Sequence, residues 1–227
     1  MKIKAIITGA TGMVGKGVLL ECLESPDVES VLTINRRPVG ITHPKIKEVI
    51  HADFLDLSSI QQKLKGYNAC FFCMGVSVVG LNEEQYTRVT YTLTVNFARI
   101  MHSLNPDSVF IYVSGTGTNE NGRAMWARVK GRTESAIFDM GFRDAYAFRP
   151  GLILPEKGIR SKTGWYNAFY DVTKPFFPLM KKSSRVTTTT KVGQAMIKAA
   201  IDGFEKKYLE NADINALAKI KKRNSKP

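Results

Sequence analysis

The chain has 227 residues, 44% hydrophobic and 23% charged, which suits one domain with a full buried core. No uncharged apolar run reaches the ~20 residues of a membrane helix, so a spanning segment is excluded. The net charge is +13, divided unevenly: residues 1–150 carry +3 and residues 151–227 carry +10.

The excess reads as a solvated face with a basic tail, "KIKKRNSKP", or as a surface for an acidic protein partner, an anionic substrate or an anionic membrane. The opening "MKIKAIITGA" runs into a glycine turn and does not resemble a signal peptide, so the expected location is cytoplasmic. Nothing resembles a helix-turn-helix or a basic stripe interleaved with aromatics, so nucleic acid is not an expected partner.

Strand-length apolar runs alternate with helical patterns from the first residue. "KIKAIITG" predicts a strand, and "MVGKGVLLECLES" repeats apolar residues at helical spacing until Pro26 stops it. "SVLTIN" and "IKEVIHAD" predict the second and third strands, and "LSSIQQKLKG" a short helix with a capping serine. "NACFFCMG" predicts a fourth strand and "NEEQYTRVTYTLTVNFARIMHSLNP" one long helix ended by Pro106. "SVFIYVSG" follows as the fifth strand, "RAMWARVKGRTESAIFDMG" as a helix and "DAYAFRPGLIL" as the sixth strand.

After Leu154 the alternation breaks down into an aromatic, proline-interrupted stretch, a capped helix in "TTTTKVGQAMIKAAIDGF", a strand-like "KKYLE" and a last helix near "INALAKI". Strands separated by helices require crossovers, hence a parallel sheet covered on both faces. The fold class is α/β: one Rossmann-type doubly wound domain over residues 1–227, with residues 155–227 as a small lid on the substrate side.

"TGATGMVG" puts Gly9, Gly12 and Gly15, with Thr11, Met13 and Val14 between them, at the turn from first strand to first helix. Such a turn lets the backbone approach a pyrophosphate while the helix N-terminus offers N–H groups to its oxygens. NAD enzymes carry Asp or Glu about 20 residues on, where it binds the ribose 2′-hydroxyl. Here that place reads Asn35, Arg36, Arg37, so two guanidiniums await a 2′-phosphate and NADP(H) is preferred over NAD(H). "HADF" offers Asp53 to an adenine amino group beside Phe54, and Gly75 of "CMG" clears a path beside the adenosine ribose. Cys70 and Cys73 have C-x-x-C spacing, but residues three apart on a strand face opposite ways, so they read as core thiols and no metal site is expected.

On "TGATGMVG", "NRR", "HADF", "CMG", "VSG", "VKG" and "FRPGLI", the chain from Met1 to about Phe204 resembles the atypical short-chain dehydrogenases/reductases. The nearest branch is the NAD(P)-binding, nucleoside-diphosphate-sugar-epimerase-like, TIP30-like one. The resemblance implies that Ser114 is the catalytic serine and that Lys130 binds the nicotinamide ribose. Pro150, Gly151 and the backbone of Ile153 would line the nicotinamide.

The family's tyrosine, four residues before that lysine, falls on Trp126. A tyrosine can pass a proton to a carbonyl oxygen, whereas an indole N–H donates a hydrogen bond without ionising. By letter, "YDVTK" (Tyr170 to Lys174) also fits Tyr-x-x-x-Lys, but Pro175 disfavours helix there; Tyr166, Ser114, Thr116, Thr118 or Lys130 through a water are the substitutes. Three readings follow: an oxidoreductase of weak or unusual activity on a small molecule, an NADP(H)-sensing regulatory protein without catalysis, and a nucleotide-sugar epimerase.

Overall fold

The computed structural model describes residues 2–159, 177–181 and 183–220. Strands β1 (Ile3–Thr8), β2 (Val28–Asn35), β3 (Ile46–Ile50), β4 (Ala69–Phe72), β5 (Val109–Val113), β6 (Asp144–Arg149) and β9 (Tyr208–Glu210) form one sheet in the order β3-β2-β1-β4-β5-β6-β9. Every neighbouring pair is parallel. Strands β7 (Leu152–Leu154) and β8 (Val186–Thr188) pair in a second, two-stranded parallel sheet. The helices are α1 (Met13–Glu24), α2 (Glu83–Thr87), α3 (Leu93–Leu104), α4 (Met125–Phe138), α5 (Phe177–Met180), α6 (Thr189–Asp202) and α7 (Asn211–Lys219). This is the doubly wound Rossmann-type arrangement that the alternation of patterns predicts.

The sheet separates two cores, as side chains pointing alternately up and down require. One joins Ile7, Phe71 and Ile111 to α1, α6 and α7; the other joins Ile6, Phe72 and Phe110 to α3 and α4. Cys70 lies in the second core and Cys73 packs against the first, so the two free thiols do face opposite ways. Helices α1 and α6 meet closely because glycines stand at the contact: a Cβ on Gly17 would lie 2.6 Å from the Thr189 Cβ, and one on Gly193 2.7 Å from the Glu21 Cγ.

Several elements differ from the sequence expectation for physical reasons. The long helix is interrupted by a π-helical turn, Arg88–Thr92, while its start is fixed by a reciprocal capping box between Asn82 and Gln85. The short helix is one 3₁₀ turn, Gln61–Leu64, preceded by Ile60 with no capping side chain; the Ser58 N–H is taken by the Asp56 carboxylate instead. The sixth strand divides at Pro150-Gly151, which sends β7 out of the main sheet. Thr187 and Thr188 stay extended as β8, and the Thr188 side chain then caps α6 through the Lys191 N–H. "KKYLE" pairs with β6 and completes the main sheet. Tyr166, Tyr170, Lys174 and the tail beyond Ile220 lie outside the described residues.

Candidate functional site

Strand order reverses beside β1: the chain leaves β1 for β2 and β3 and returns as β4 on β1's other edge. Such a switch point opens a crevice at the strands' carboxyl ends. The glycine turn sits in it. Gly9 has φ +71°, in the left-handed region, and a Cβ there would lie 2.8 Å from the Cys73 carbonyl and the Met74 nitrogen. A Cβ on Gly15 would lie 2.3 Å from the Gly9 carbonyl oxygen. The Gly12 N–H closes the turn onto that same oxygen at 2.9 Å.

Gly12 is also the N-cap of α1, has no side chain to cap with, and the first turn holds no acidic residue. The positive end of α1 is thus left without a neutralising side chain, with Thr11, Met13 and Val14 partly exposed around it.

At the end of β2, Asn35 is 3% exposed, yet among the described residues both its amide atoms lack a hydrogen-bond partner. A buried amide left unpaired costs about 1–3 kcal/mol, which makes Asn35 a group awaiting a ligand or water. The Thr8 hydroxyl at the end of β1 is orphaned in the same way. Arg36 and Arg37 are exposed, and neither forms an ion pair among the described residues.

Asp53 is exposed and one carboxylate oxygen accepts the Leu55 N–H at 2.9 Å, so it shapes its own loop with the other oxygen to spare. The Phe54 ring is buried in the α3-side core, leaving only its main chain for a ligand. Gly75 is exposed, and a Cβ on it would meet nothing within 4 Å.

The candidate catalytic residues lie between β5 and α4. Ser114, 6% exposed, follows β5, and its hydroxyl lies 3.0 Å from that of Thr118. Thr118 in turn donates to the Gly115 carbonyl at 2.8 Å, so the Ser114 proton points to Thr118. The Lys130 Nζ donates to the Ser114 main-chain oxygen at 3.0 Å and lies 5.8 Å from the centre of the Tyr112 ring. Burial lowers the Lys130 ammonium to about 8, against the opposing pull of Glu134.

Trp126 stands one helical turn before Lys130 on α4, with its ring about 3.4 Å from where a Gly117 Cβ would be. Trp126 thus faces the loop that carries Ser114. Gly131 lets that loop lie on α4, since a Cβ there would be 2.4 Å from the Glu120 nitrogen.

Two features escaped the sequence reading. Glu134, 1% exposed, holds Arg149 through two N–H···O contacts, Nε to Oε1 at 3.0 Å and a shorter one to Oε2, and the guanidinium also lies 4.1 Å from the Tyr208 ring centre. Thr116 donates from one hydroxyl toward the Arg149 carbonyl at 2.9 Å and the Glu210 carboxylate at 2.8 Å. The only signal in the sequence was the spacing of Lys130 and Glu134, four apart on one helix face. Pro150 and Ile153 are buried; Gly151 is exposed, with a Cβ there 3.2 Å from the Thr116 Oγ1, and its N–H donates to Asn211 at 3.2 Å. Met13 and Leu152 pack around Leu154 and Val186, which joins the glycine turn to the second sheet.

Fold and site together define a Rossmann-type protein with a glycine turn at its switch point. Residues 5–126, more than half of the chain, match the NAD dependent epimerase/dehydratase family, and the chain belongs to it. It is similar to the protein FMP52-1, mitochondrial, of Scheffersomyces stipitis, 26% identical over 95% of this chain and 98% of that one. It is also similar to the protein FMP52, mitochondrial, of Debaryomyces hansenii, 28% identical over 67% of this chain and 68% of that one. Among solved structures, a short chain dehydrogenase of Burkholderia cenocepacia in complex with NADP superposes with a TM-score of 0.63 at 16% identity, covering 92% of this chain and 87% of that one.

The relatives' names overturn the cytoplasmic expectation. Among the described residues no helix is long and apolar enough to cross a membrane, but that property does not distinguish one aqueous compartment from another.

Proposed function

We propose that the chain binds NADP(H) in preference to NAD(H) and reduces or oxidises a small carbonyl or alcohol substrate with an altered proton-transfer group. The observation that carries this reading is the end of β2: no carboxylate stands there, and among the described residues the buried Asn35 amide lacks partners and the exposed Arg36 and Arg37 form no ion pair. One charge-assisted bond to a 2′-phosphate contributes roughly 1.5–3 kcal/mol, or about tenfold or more in preference. Gly9, Gly12 and Gly15 with the N-terminus of α1 would hold the pyrophosphate; Asp53, the main chain of Phe54 and the open side of Gly75 the adenosine. Lys130, Pro150, Gly151 and Ile153 would border the nicotinamide, next to Ser114. When bound, the dinucleotide supplies two-electron redox chemistry.

Trp126 favours one alternative, a redox-state sensor that binds the dinucleotide without turning it over. Titration calorimetry on nucleotide-free protein tests the main reading. NADPH is expected to bind at least about tenfold more tightly than NADH, and Arg36→Ala with Arg37→Ala to erase the difference. Equal affinities would remove the preference. Tight binding with no NADPH consumption over a panel of aldehydes and ketones would favour the sensor.

A further inference from the structure

We propose that Lys130 is the proton donor of this site, passing a proton from its side-chain ammonium to the oxygen of a carbonyl substrate. The proposal rests on the oxidoreductase reading above and goes beyond it by naming the group that replaces a phenol.

Elimination by geometry among the described residues, which do not include Tyr166 or Tyr170, leads there. The Trp126 indole does not ionise usefully. The Ser114 proton is directed at Thr118, and the Thr118 proton at the Gly115 carbonyl, so both hydroxyls can accept from a ligand while their protons point inward. Thr116 spends its proton on the Arg149 carbonyl and Glu210. The Tyr112 phenol is 2% exposed, bonded to Thr133, and pushed far up by burial, so it does not exchange protons near neutrality.

Lys130 remains. Its Nζ has three donors, and one goes to the Ser114 carbonyl at 3.0 Å. That bond anchors the ammonium at the corner between β5 and α4, one turn along the helix face from Trp126.

The surroundings keep this ammonium ready to lose a proton. Burial is the main cause of its lowering to about 8. Glu134, on the same helix, is the carboxylate that opposes the shift, and it is itself held by Arg149 of β6. From β5 the neighbour is the Tyr112 phenol, with Tyr86 of α2 beyond it, both raised and therefore neutral. A general acid works best with a pKa near the working pH.

In the reduction, a bound reduced dinucleotide would supply the carbonyl carbon with a hydrogen and its two electrons. The C=O π pair becomes an O–H bond to the lysine proton, the N–H bond breaks, and Lys130 is left as a neutral amine that regains a proton from solvent.

The test compares wild-type protein with Lys130→Arg, which keeps the cation but holds its proton too tightly to give it up, and Lys130→Met, which removes the charge. NADPH binding is measured by calorimetry, NADPH consumption with a carbonyl panel across pH, and the Nζ signal by NMR on ¹⁵N-lysine-labelled protein. The wild-type rate is expected to be flat below about pH 8 and to fall about tenfold per unit above it. Both variants should lose about 100-fold or more in turnover at saturating NADPH, beyond any affinity lost with the nicotinamide-ribose contact, and the Nζ signal absent from Lys130→Arg should titrate near pH 8. Turnover in Lys130→Arg within about threefold of wild type, an alkaline limb that survives in it, or an Nζ titrating above about pH 10 would each overturn the assignment. Failure of the wild-type protein to bind NADPH would instead remove the reading beneath it.

Discussion

Between β1 and α1 the site is made of backbone, whereas between β5 and α4 it is made of side chains. The first part depends on what is missing: Gly9 and Gly15 have no room for a Cβ, because the atoms it would strike are main chain. The second part depends on what is present: Lys130 reaching the Ser114 carbonyl, Ser114 paired with Thr118, and Trp126 lying over Gly117. A backbone-made cradle forces residue identity, since no neighbouring rotamer can relieve a clash with a carbonyl. A side-chain-made site tolerates a changed letter, since α4 keeps its place with an indole where a phenol is expected. Residue identity is therefore constrained to different degrees on the two sides of one crevice.

The largest expected effect breaks the backbone side. Gly15→Ala would set a methyl 2.3 Å from the Gly9 oxygen and 2.6 Å from its carbonyl carbon, so the turn must open. We expect a stability loss of about 3 kcal/mol in urea unfolding, and NADPH affinity reduced beyond detection by calorimetry. A variant that binds NADPH normally would mean that the cradle is not the pyrophosphate site.

How much could be read in advance follows the same division. The central strands of the main sheet were legible as short apolar runs buried on both faces, as in Ala69–Phe72, whereas the edge strand β3 buries only Val49. The glycine turn was legible because a left-handed Gly9 and a crowded Gly15 leave only glycine possible. What stayed hidden was made by contacts distant in sequence. Arg149 finds Glu134 only once β6 lies beside β5 under α4, and Thr116 finds Glu210 only because β9 joins the sheet next to β6. The sixth strand was expected to run unbroken through Pro150-Gly151, and neither its break there nor the pairing of β7 with β8 was legible.

On the side-chain side, Lys130→Met sharpens the comparison through pH. The folded ammonium is lowered from 10.5 to about 8, so the folded protein holds this proton less firmly than the unfolded chain does. Stability is therefore penalised below about pH 8, where the buried group is charged, and recovers as pH rises toward the unfolded value. Lys130→Met should be more stable than wild type by about 3 kcal/mol at pH 7, and the difference should shrink toward zero by about pH 10.5. Urea unfolding at a series of pH values checks this; a constant difference would mean that the ammonium is solvated and not placed as described.

The smallest effect separates the roles of two glycines that look alike in sequence. Gly75 differs from Gly15 in that a Cβ on it would meet nothing within 4 Å, and its φ is not in the left-handed region. The folded protein alone gives no reason for glycine there. Gly75→Ala should thus leave stability unchanged within about 0.5 kcal/mol, or raise it slightly by restricting the unfolded chain. If adenosine passes over this exposed backbone, the added methyl should weaken NADPH binding about tenfold at unchanged stability. A loss of affinity without a loss of stability would place the nucleotide against β4's loop as well as the glycine turn. Unchanged affinity would confine the cradle to β1, α1 and the end of β2.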